Sequence, residues 1–401
     1  MSSPDDRLVI IYVSKFSPPT IWSDFLRSCR KTPLQVMQKY NCLLVEGLAN
    51  HPGVDVIAVC TFGVSRSVSS KLLFSAKPTV ENGVMYEMVS SVNIPILRNV
   101  TEFLGTFLRI WRITRQSQHC VIVADSLNIA TTWAVMFNKF IMRTKVVGVI
   151  LDLPSYTYWR IPKLKLALIK MYLNRFSAYL LITNEINYVI NKQNRPHVII
   201  EGFSDSKMVY RENLLQEKYP ERVCMYTGIL SRVFGVGMLV EAFLLADISG
   251  VVLQFYGNGD YEQELAELTK KHKNIRYGGT LPSDKVVEEQ IKAMLLINPR
   301  PTAPVYTKYS FPSKNMEYLA SGTPLLTTKL PGMPDDHLPY VYLFEEETVE
   351  GYAKTLREVL SLPAEDLHAK GLEAKDFAMR NKNNVTQAGK LLDMIKRVCI
   401  L

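Results

Sequence analysis

Short apolar runs alternate with amphipathic segments along almost all of this 401-residue chain. The first run is "LVIIYV" at 8–13, and similar runs follow at intervals of about one helix. An unbroken apolar run of this length is typical of a parallel strand that is buried on both faces. Strands that alternate with helices predict parallel sheets covered by helices on both sides. This pattern restricts the fold to the α/β class.

The alternating pattern runs through the first half of the chain and starts again in the second half. In the first half it predicts strands at 8–13, 54–62, 120–125, 145–152, 178–183 and 197–202, and helices at 99–115, 126–140, 161–175 and 184–192. In the second half it predicts strands at 222–228, 251–257, 274–279, 294–299, 324–328 and 340–344, and helices at 235–247, 260–271, 283–293 and 312–321.

This organisation predicts two domains, because 401 residues exceed one comfortable core. We expect two tandem Rossmann-like doubly wound domains, residues 1–204 and 205–384, with the polar stretch 204–221 as the linker. The amphipathic C-terminal helix, within about 385–401, is expected to pack back on the first domain. Ligands of open α/β sheets bind at the carboxyl ends of the strands, so the expected site is the cleft between the domains.

Charge is distributed unevenly between the two halves. Residues 1–200 carry a net charge of +12, whereas the whole chain carries +9, which leaves −3 for the second half. A basic half indicates nucleic acid, an anionic membrane or an anionic substrate as partner, or a solvated basic face. The segment "YTYWRIPKLKLALIKMYLNRF" at 156–176 mixes cations with aromatic residues, which suits a membrane interface. A buried helix with solvated lysines is the alternative.

Several classes of site and location are excluded by the sequence. The six cysteines are scattered without a CxxC pair, which favours a reducing compartment and argues against a zinc site. The sequence contains no P-loop, no GxSxG and no DxD pair. The N-terminus has acids where a signal peptide needs bases, and no apolar run is long enough to span a membrane. We therefore expect a cytoplasmic protein without a metal.

The segment "YSFPSKNMEYLASGTPLLTT" at 309–328 contains the most informative helix start. Lys314 and Glu317 are three residues apart and share a helix face. A helix N-terminus binds anions, and a lysine in the first turn opposes the helix dipole unless a diphosphate docks there. A glutamate one turn later can accept hydrogen bonds from a ribose diol. Ser310 or Ser313 is expected to cap the helix, and a plain surface ion pair is the alternative interpretation.

Three further loops are candidates for contacts to the same ligand, with ordinary βα turns or structural connections as the alternative. "YTGILSRVFGVG" places a glycine between a strand and a helix, where backbone can approach a phosphate. "FYGNGDYEQEL" is an incomplete dinucleotide fingerprint, and "YGGTLPSDKV" leaves backbone free to hold a base. The proline-rich loop 297–314 is stiff enough for binding. The candidate residues in these segments are Gly228, Arg232, Gly279, Thr280, Leu281, Arg300 and Lys308.

Asp152 follows the strand in "VVGVILDLPSYTYW". A carboxylate at the carboxyl end of a strand suits an acid/base group or a ligand of an acceptor hydroxyl. A turn or helix cap is the alternative. Asp125 and Glu185 hold similar positions and are weaker candidates.

Residues 223–345 resemble the nucleotide-binding domain of GT-B glycosyltransferases, closest to the family 4-like group that builds bacterial surface polysaccharides. The resemblance rests on "YTGIL", "FGVGMLVEAF", "FYGNGDYEQEL", "NIRYGGTLPSDKV", "YSFPSKNMEYLASGTPLLTT" and "LPGMP". It implies that Glu317 holds the donor ribose, and that the loops at Gly228 and Gly279–Leu281 hold the diphosphate and the base. The first half resembles the family only in architecture and in the "SKFSPP" loop.

The sequence departs from the family pattern at four positions. The two diphosphate-binding cations of the family are Ile229 and Phe234 here, a glutamate is Tyr309, and the strand-end histidine is Leu151. We expect Lys314, helped by Arg232 or Arg300, to replace the missing cations. Tyr309 and Ser310 are expected near the donor sugar.

These features predict a metal-independent glycosyltransferase that needs no cofactor. Its substrates would be a nucleoside-diphosphate hexose, with UDP as the expected nucleotide, and a lipid-linked or glycan acceptor used in cell-surface polysaccharide synthesis. The basic half would contact the anionic inner membrane face, and no nucleic acid is expected. A non-catalytic GT-B partner of another transferase and a sugar-nucleotide epimerase on the same fold are the alternatives.

Overall fold

The computed structural model describes residues 7–27, 29, 36–62, 66, 68–153, 155 and 162–398. These residues form two compact units. The first is Met1–Phe203 together with Asn384–Leu401, and the second is Ser204–Asn383. The polar segment 204–221, predicted as a linker, belongs to the second unit.

The elements follow one another in the alternating order that the sequence predicts. Residues up to 203 form β1 (Leu8–Ser14), α1 (Pro19–Arg27), α2 (Val36–Ala49), β2 (Val54–Cys60), β3 (Leu73–Phe74), β4 (Thr79–Glu81), β5 (Val84–Met88), β6 (Ser91–Val92), α3 (Pro95–Gln116), β7 (Cys120–Asp125), α4 (Ile129–Met142), β8 (Lys145–Ile150), α5 (Lys163–Leu173), β9 (Ala178–Leu181), α6 (Asn184–Ile190) and β10 (His197–Ile199). The rest of the chain forms β11 (Arg222–Thr227), α7 (Val236–Ala246), β12 (Val251–Tyr256), α8 (Glu262–Lys271), β13 (Ile275–Tyr277), α9 (Ser283–Lys292), β14 (Leu295–Asn298), α10 (Ser313–Ser321), β15 (Leu325–Thr328), β16 (Val341–Phe344), α11 (Val349–Ser361), α12 (Ala364–Asn381) and α13 (Asn384–Val398).

The main sheet of the first unit has the order β10-β9-β8-β7-β1-β2-β5-β4. All neighbours are parallel except β4 and β5, which form an antiparallel hairpin. Asn82 and Gly83 close this hairpin with positive φ angles of 49° and 78°, as a tight two-residue turn requires. The central strands are buried on both faces, which explains their unbroken apolar sequences.

The second unit has a fully parallel sheet in the order β13-β12-β11-β14-β15-β16. Counted within the unit this is 3-2-1-4-5-6, the arrangement of dinucleotide-binding folds. Its core packs α7 and α11 on one face of the sheet, with Leu239, Phe243, Tyr352 and Leu356 buried. The strand order reverses between β11 and β14, where ligands of open α/β sheets bind.

Candidate functional site

The reversal point of the second unit brings together three segments that are far apart in sequence. Gly228 follows β11, Arg300 follows β14, and α10 begins at Ser313. The ammonium of Lys314, in the first turn of α10, lies 3.9 Å from the ring centroid of Tyr226. A Cβ atom added to Gly228 would stand 2.7 Å from that ammonium. Lys314 therefore lies directly over the turn that follows β11.

Burial, strengthened by the nearby Arg300 charge, lowers the pKa of Lys314 to about 7, although the Glu317 carboxylate acts in the opposite direction. A lysine in the first turn of a helix also faces the positive end of the helix dipole. The free protein thus holds this cation where its charge is disfavoured. An anion bound at this point would remove the penalty, which is the arrangement expected of a phosphate site.

Arg300 supplies a second cation to the same place. Its guanidinium carbon lies 5.2 Å from the ring centroid of Phe234 and 5.1 Å from that of Tyr306, and its Nη2 donates to Ser310 Oγ at 3.4 Å. The Nε of Arg300 is buried without a hydrogen-bond partner in the described part of the chain. Phe234 stands where the family has a cation, and the guanidinium of Arg300 stacks on its ring.

Glu317 lies one turn further along α10 and is partly exposed. The side chain of Gln290 in α9 donates to Glu317 Oε1 at 2.8 Å and to Thr227 Oγ1 at 2.9 Å. Gln290 is fully buried. Because a buried side chain has little freedom to move, its hydrogen bond fixes the direction of the Glu317 carboxylate. Gln290 was not among the residues predicted from the sequence, although a polar residue on the apolar side of an amphipathic helix is a usable signal.

Neither serine caps α10, contrary to the prediction. Pro312 occupies the N-cap position and makes no side-chain cap, and Ser313 is the first helical residue. The Ser310 hydroxyl donates instead to the carbonyl of Tyr306 at 3.2 Å. Because proline has no side-chain acceptor, the N-cap residue of α10 cannot cap the first N–H groups, which suits an anion site.

Arg232 has acidic neighbours outside this group. Its guanidinium pairs with Glu264 at 2.5 Å and with Glu241 at 3.7 Å, and it stacks on Tyr261 at 5.0 Å. These contacts connect the loop before α7 to the middle of α7 and to the first turn of α8. The structure therefore places Arg300, and not Arg232, with Lys314.

The glycine turns after β11, β12 and β13 are joined by backbone hydrogen bonds and close backbone contacts. Gly228 N–H donates to Tyr256 O at 2.9 Å, and Gly257 N–H donates to Gly279 O at 2.8 Å. A Cβ atom on Gly257 would stand 1.8 Å from Gly228 O. Because the N–H of Gly228 is used within the sheet edge, its role is close packing under Lys314. Thr280 is exposed and Leu281 half-buried in the loop before α9, and Tyr309 is partly exposed before Ser310.

In the first unit, the strand order reverses between β1 and β7, and a buried charged cluster lies there. Ser14 Oγ donates to Asp125 Oδ2 at 3.1 Å, and the N–H of Leu127 donates to Oδ1 at 2.9 Å. Burial raises the pKa of Asp125. Lys15 lies 3.6 Å from the fully buried Glu102 of α3, whose carboxylate oxygens have no hydrogen-bond partner among the described residues.

The other acids of the first unit lie in different settings. Asp152 is partly exposed two residues beyond the end of β8. Glu185 lies in the first turn of α6, where an acid stabilises the helix dipole. The aromatic part of the predicted membrane segment, including Tyr158, Trp159 and Arg160, lies outside the described residues. Within the part of the chain that the structure describes, no helix combines the length and apolarity needed to cross a bilayer.

Residues 221–361 match the family described as Glycosyl transferases group 1. This range contains β11 to β16 and therefore the whole group around Lys314. A search of the curated proteins finds no match.

Solved structures similar to the whole chain share its architecture at low sequence identity. Sucrose-phosphate synthase from Thermosynechococcus elongatus has a TM-score of 0.65 at 12% identity, covering 98% of this chain and 99% of that one. Anabaena Alr3699/HepE in complex with UDP has 0.61 at 13%, covering 98% and 100%. The trehalose 6-phosphate synthase from Burkholderia multivorans has 0.62 at 10%, covering 98% and 97%.

These comparisons confirm two of the predictions. The resemblance to GT-B glycosyltransferases and the two-domain α/β fold are both confirmed. The family match over residues 221–361 also supports the prediction that the chain is a glycosyltransferase. At 10–13% identity, the solved structures establish the fold alone.

Proposed function

We propose that this chain transfers a hexose from a UDP-linked donor to a lipid-linked or glycan acceptor in cell-surface polysaccharide synthesis, at the inner membrane face and without a metal ion. The observation that carries the proposal is the position of Lys314. Its ammonium lies over Tyr226 and beside Gly228, one turn before Glu317, in a segment that matches glycosyl transferases. The choice of UDP is supported by Alr3699/HepE, a structural neighbour that binds it.

Each residue of the group has a specific part in this proposal. Lys314 and Arg300 bind the diphosphate and stabilise the negative charge that develops on it when the glycosidic bond to the donor breaks. Glu317, directed by Gln290, accepts hydrogen bonds from the ribose hydroxyls. Two adjacent protein cations can do the work of charge neutralisation that a divalent ion does elsewhere. Asp152 is proposed to receive the proton of the acceptor hydroxyl.

The test is thermal unfolding of the protein with UDP, GDP, ADP or dTDP. A ligand at one hundred times its dissociation constant adds about 2.7 kcal/mol to the free energy of unfolding. We expect UDP to stabilise the wild type but not Glu317→Ala. Arg232→Gln is the matched control, because it removes a nearby cation that pairs with acids, and it should respond to UDP like the wild type. Failure of all four nucleotides to stabilise the protein would contradict the proposal.

A non-catalytic partner subunit is the second candidate. Ile229 and Phe234 occupy the positions of two cations of the family, which favours nucleotide binding without turnover. Release of UDP from a UDP-hexose separates the two functions. A catalyst releases UDP from the UDP-hexose when acceptor is added, whereas a binding subunit leaves the UDP-hexose intact.

A further inference from the structure

An open pocket of about 380 Å³ in the first unit is lined by four cations, Lys139, Arg143, Lys145 and Arg195. None of its seven lining residues is acidic. Lys145 is the first residue of β8, and Arg143 is the C-cap residue that follows α4. This basic pocket therefore lies at the amino edge of the sheet, opposite the carboxyl edge that holds Asp125.

Two of the four cations are fixed by backbone carbonyls and two face solvent. Lys139 Nζ donates to the carbonyl of Arg175, and Arg195 donates to that of Phe176. Arg143 and Lys145 are exposed. A cation near a helix C-terminus is favoured by the helix dipole, which accounts for one or two of these charges but not for four around one pocket. The pocket matches a multiply charged anion such as a phosphate.

An exposed apolar face adjoins the pocket on α3 and α4. Phe140 stands between Lys139 and Arg143 in the sequence and is 84% exposed, and Phe137 and Ile141 on the same side of α4 are about half exposed. The two helices lie side by side: the Asn138 side chain of α4 donates a hydrogen bond to the carbonyl of Phe107 in α3 at 3.2 Å.

The apolar face continues from α4 on to α3. Leu104 and Leu108, one helical turn apart, are 50% and 55% exposed. The ring of Phe103 on the same helix lies 5.7 Å from that of Phe137. Large side chains clustered in this way mark an interaction surface rather than an ordinary solvated one.

We propose that the basic pocket binds the phosphate of an anionic phospholipid headgroup, while the α3–α4 apolar face inserts into the bilayer beside it. Cations next to exposed aromatic and aliphatic side chains are the combination that binds an anionic membrane interface. The proposal deepens the membrane contact in the proposed function and rests on it for the choice of a bilayer as the occupant. The pocket is an anchor separate from the carboxyl edge where acceptor chemistry is proposed.

The test measures sedimentation of the full chain with vesicles of phosphatidylcholine containing about one third phosphatidylglycerol. Arg143→Asn with Lys145→Gln should lower the partition coefficient about 25-fold, because each cation near an anionic surface contributes about fivefold. Asparagine tolerates the positive φ of 54° at position 143. Phe140→Gln, a change at an exposed helix position, should lower it at least tenfold.

Matched controls test whether the effect is local. Lys71→Gln with Lys77→Gln removes the same charge from exposed positions of the first unit, and Tyr210→Gln removes an aromatic ring that is 85% exposed in the second unit. Both should bind vesicles within about twofold of the wild type, apart from the weak long-range effect of net charge. All variants should keep the wild-type unfolding midpoint and UDP affinity.

Four results would overturn the proposal. One is unchanged vesicle binding by the pocket or Phe140 variants, and another is an equal loss in the charge-matched control. The third is saturation of the pocket by inorganic phosphate without any binding to vesicles, which would identify a soluble phosphate ligand. A protein that pellets without vesicles, and loses this with Phe140→Gln, would instead show a protein contact on this face. Because neither donor nor acceptor is present, failure here is distinct from failure of the transferase assay.

Discussion

UDP binding should weaken as the pH rises above 7, because Lys314 loses its proton. Burial lowers the pKa of this ammonium to about 7 in the free protein, so about half of the molecules carry the charge at pH 7 and about one in a hundred at pH 9. A bound diphosphate favours the protonated form and raises the pKa. Above pH 7, UDP binding therefore requires Lys314 to take up a proton. The free energy of that protonation becomes less favourable as the pH rises, so the affinity for UDP falls.

The size of the effect follows from the two pKa values. If the bound diphosphate restores the ordinary lysine pKa of about 10.4, the affinity falls about 50-fold between pH 7 and pH 9, or about 2.3 kcal/mol. UDP does not change its own charge over this range, because the second pKa of a phosphate is about 6. Tyr226 stays neutral as well, since burial raises its pKa well above the ordinary value.

Isothermal titration calorimetry of UDP at pH 7, 8 and 9, in two buffers of different ionisation enthalpy, measures both the affinity and the proton uptake. The uptake should rise from about half a proton at pH 7 towards one at pH 9. Lys314→Arg keeps its charge throughout and should show no slope, and Lys314→Met should bind weakly at every pH. A flat profile in the wild type, or the wild-type slope in Lys314→Met, would refute the reasoning.

Four further outcomes are expected. Glu317→Gln should weaken UDP binding by about 1.5–3 kcal/mol in titration calorimetry, since it loses charge-assisted hydrogen bonds to the ribose, and an unchanged affinity would remove Glu317 from the site. Gly257→Ala should lower the free energy of unfolding by several times the roughly 1 kcal/mol expected for Gly53→Ala, because both have positive φ but only the first meets a backbone oxygen, at 1.8 Å; equal denaturant midpoints would contradict this. Asp152→Asn should reduce the turnover of a UDP-hexose about 10²–10⁴-fold with UDP affinity unchanged, whereas a loss of UDP affinity would place it on the donor side. Turnover should survive EDTA, and restoration by added Mg²⁺ after its loss would overturn the proposed metal independence.

Most of the sheet could be predicted because its strands are buried on both faces. The strand at 120–125 has the predicted bounds, and the helix predicted at 283–293 ends one residue earlier, at Lys292. The hairpin at β4 and β5 was missed because β4 is short and only partly buried, and because a glutamate interrupts the apolar residues of β5. Its Asn82–Gly83 turn was an available signal.

The candidate site was predictable only in part. The i, i+3 spacing of Lys314 and Glu317 and their place at a helix start are local properties of the chain. The wrong assignment of Ser310 or Ser313 as a cap came from residue preference alone, and the backbone placed Pro312 at that position instead. The partners of Arg232 in α8 and of Glu317 in α9 are 32 and 27 residues away, so spacing gave no information about them.

The sequence by itself determined the α/β class, the order of the elements and a Lys–Glu pair at the start of α10, because periodicity and helix-start chemistry are local. Only the tertiary structure decided that Arg300 joins Lys314 on neighbouring aromatic rings, and that the partly exposed Lys15 lies beside the buried Glu102. It also decided that four cations surround one pocket at the amino edge of the first sheet. Charge, burial and pKa depend on neighbours brought from distant parts of the chain, and strand order sets which neighbours those are.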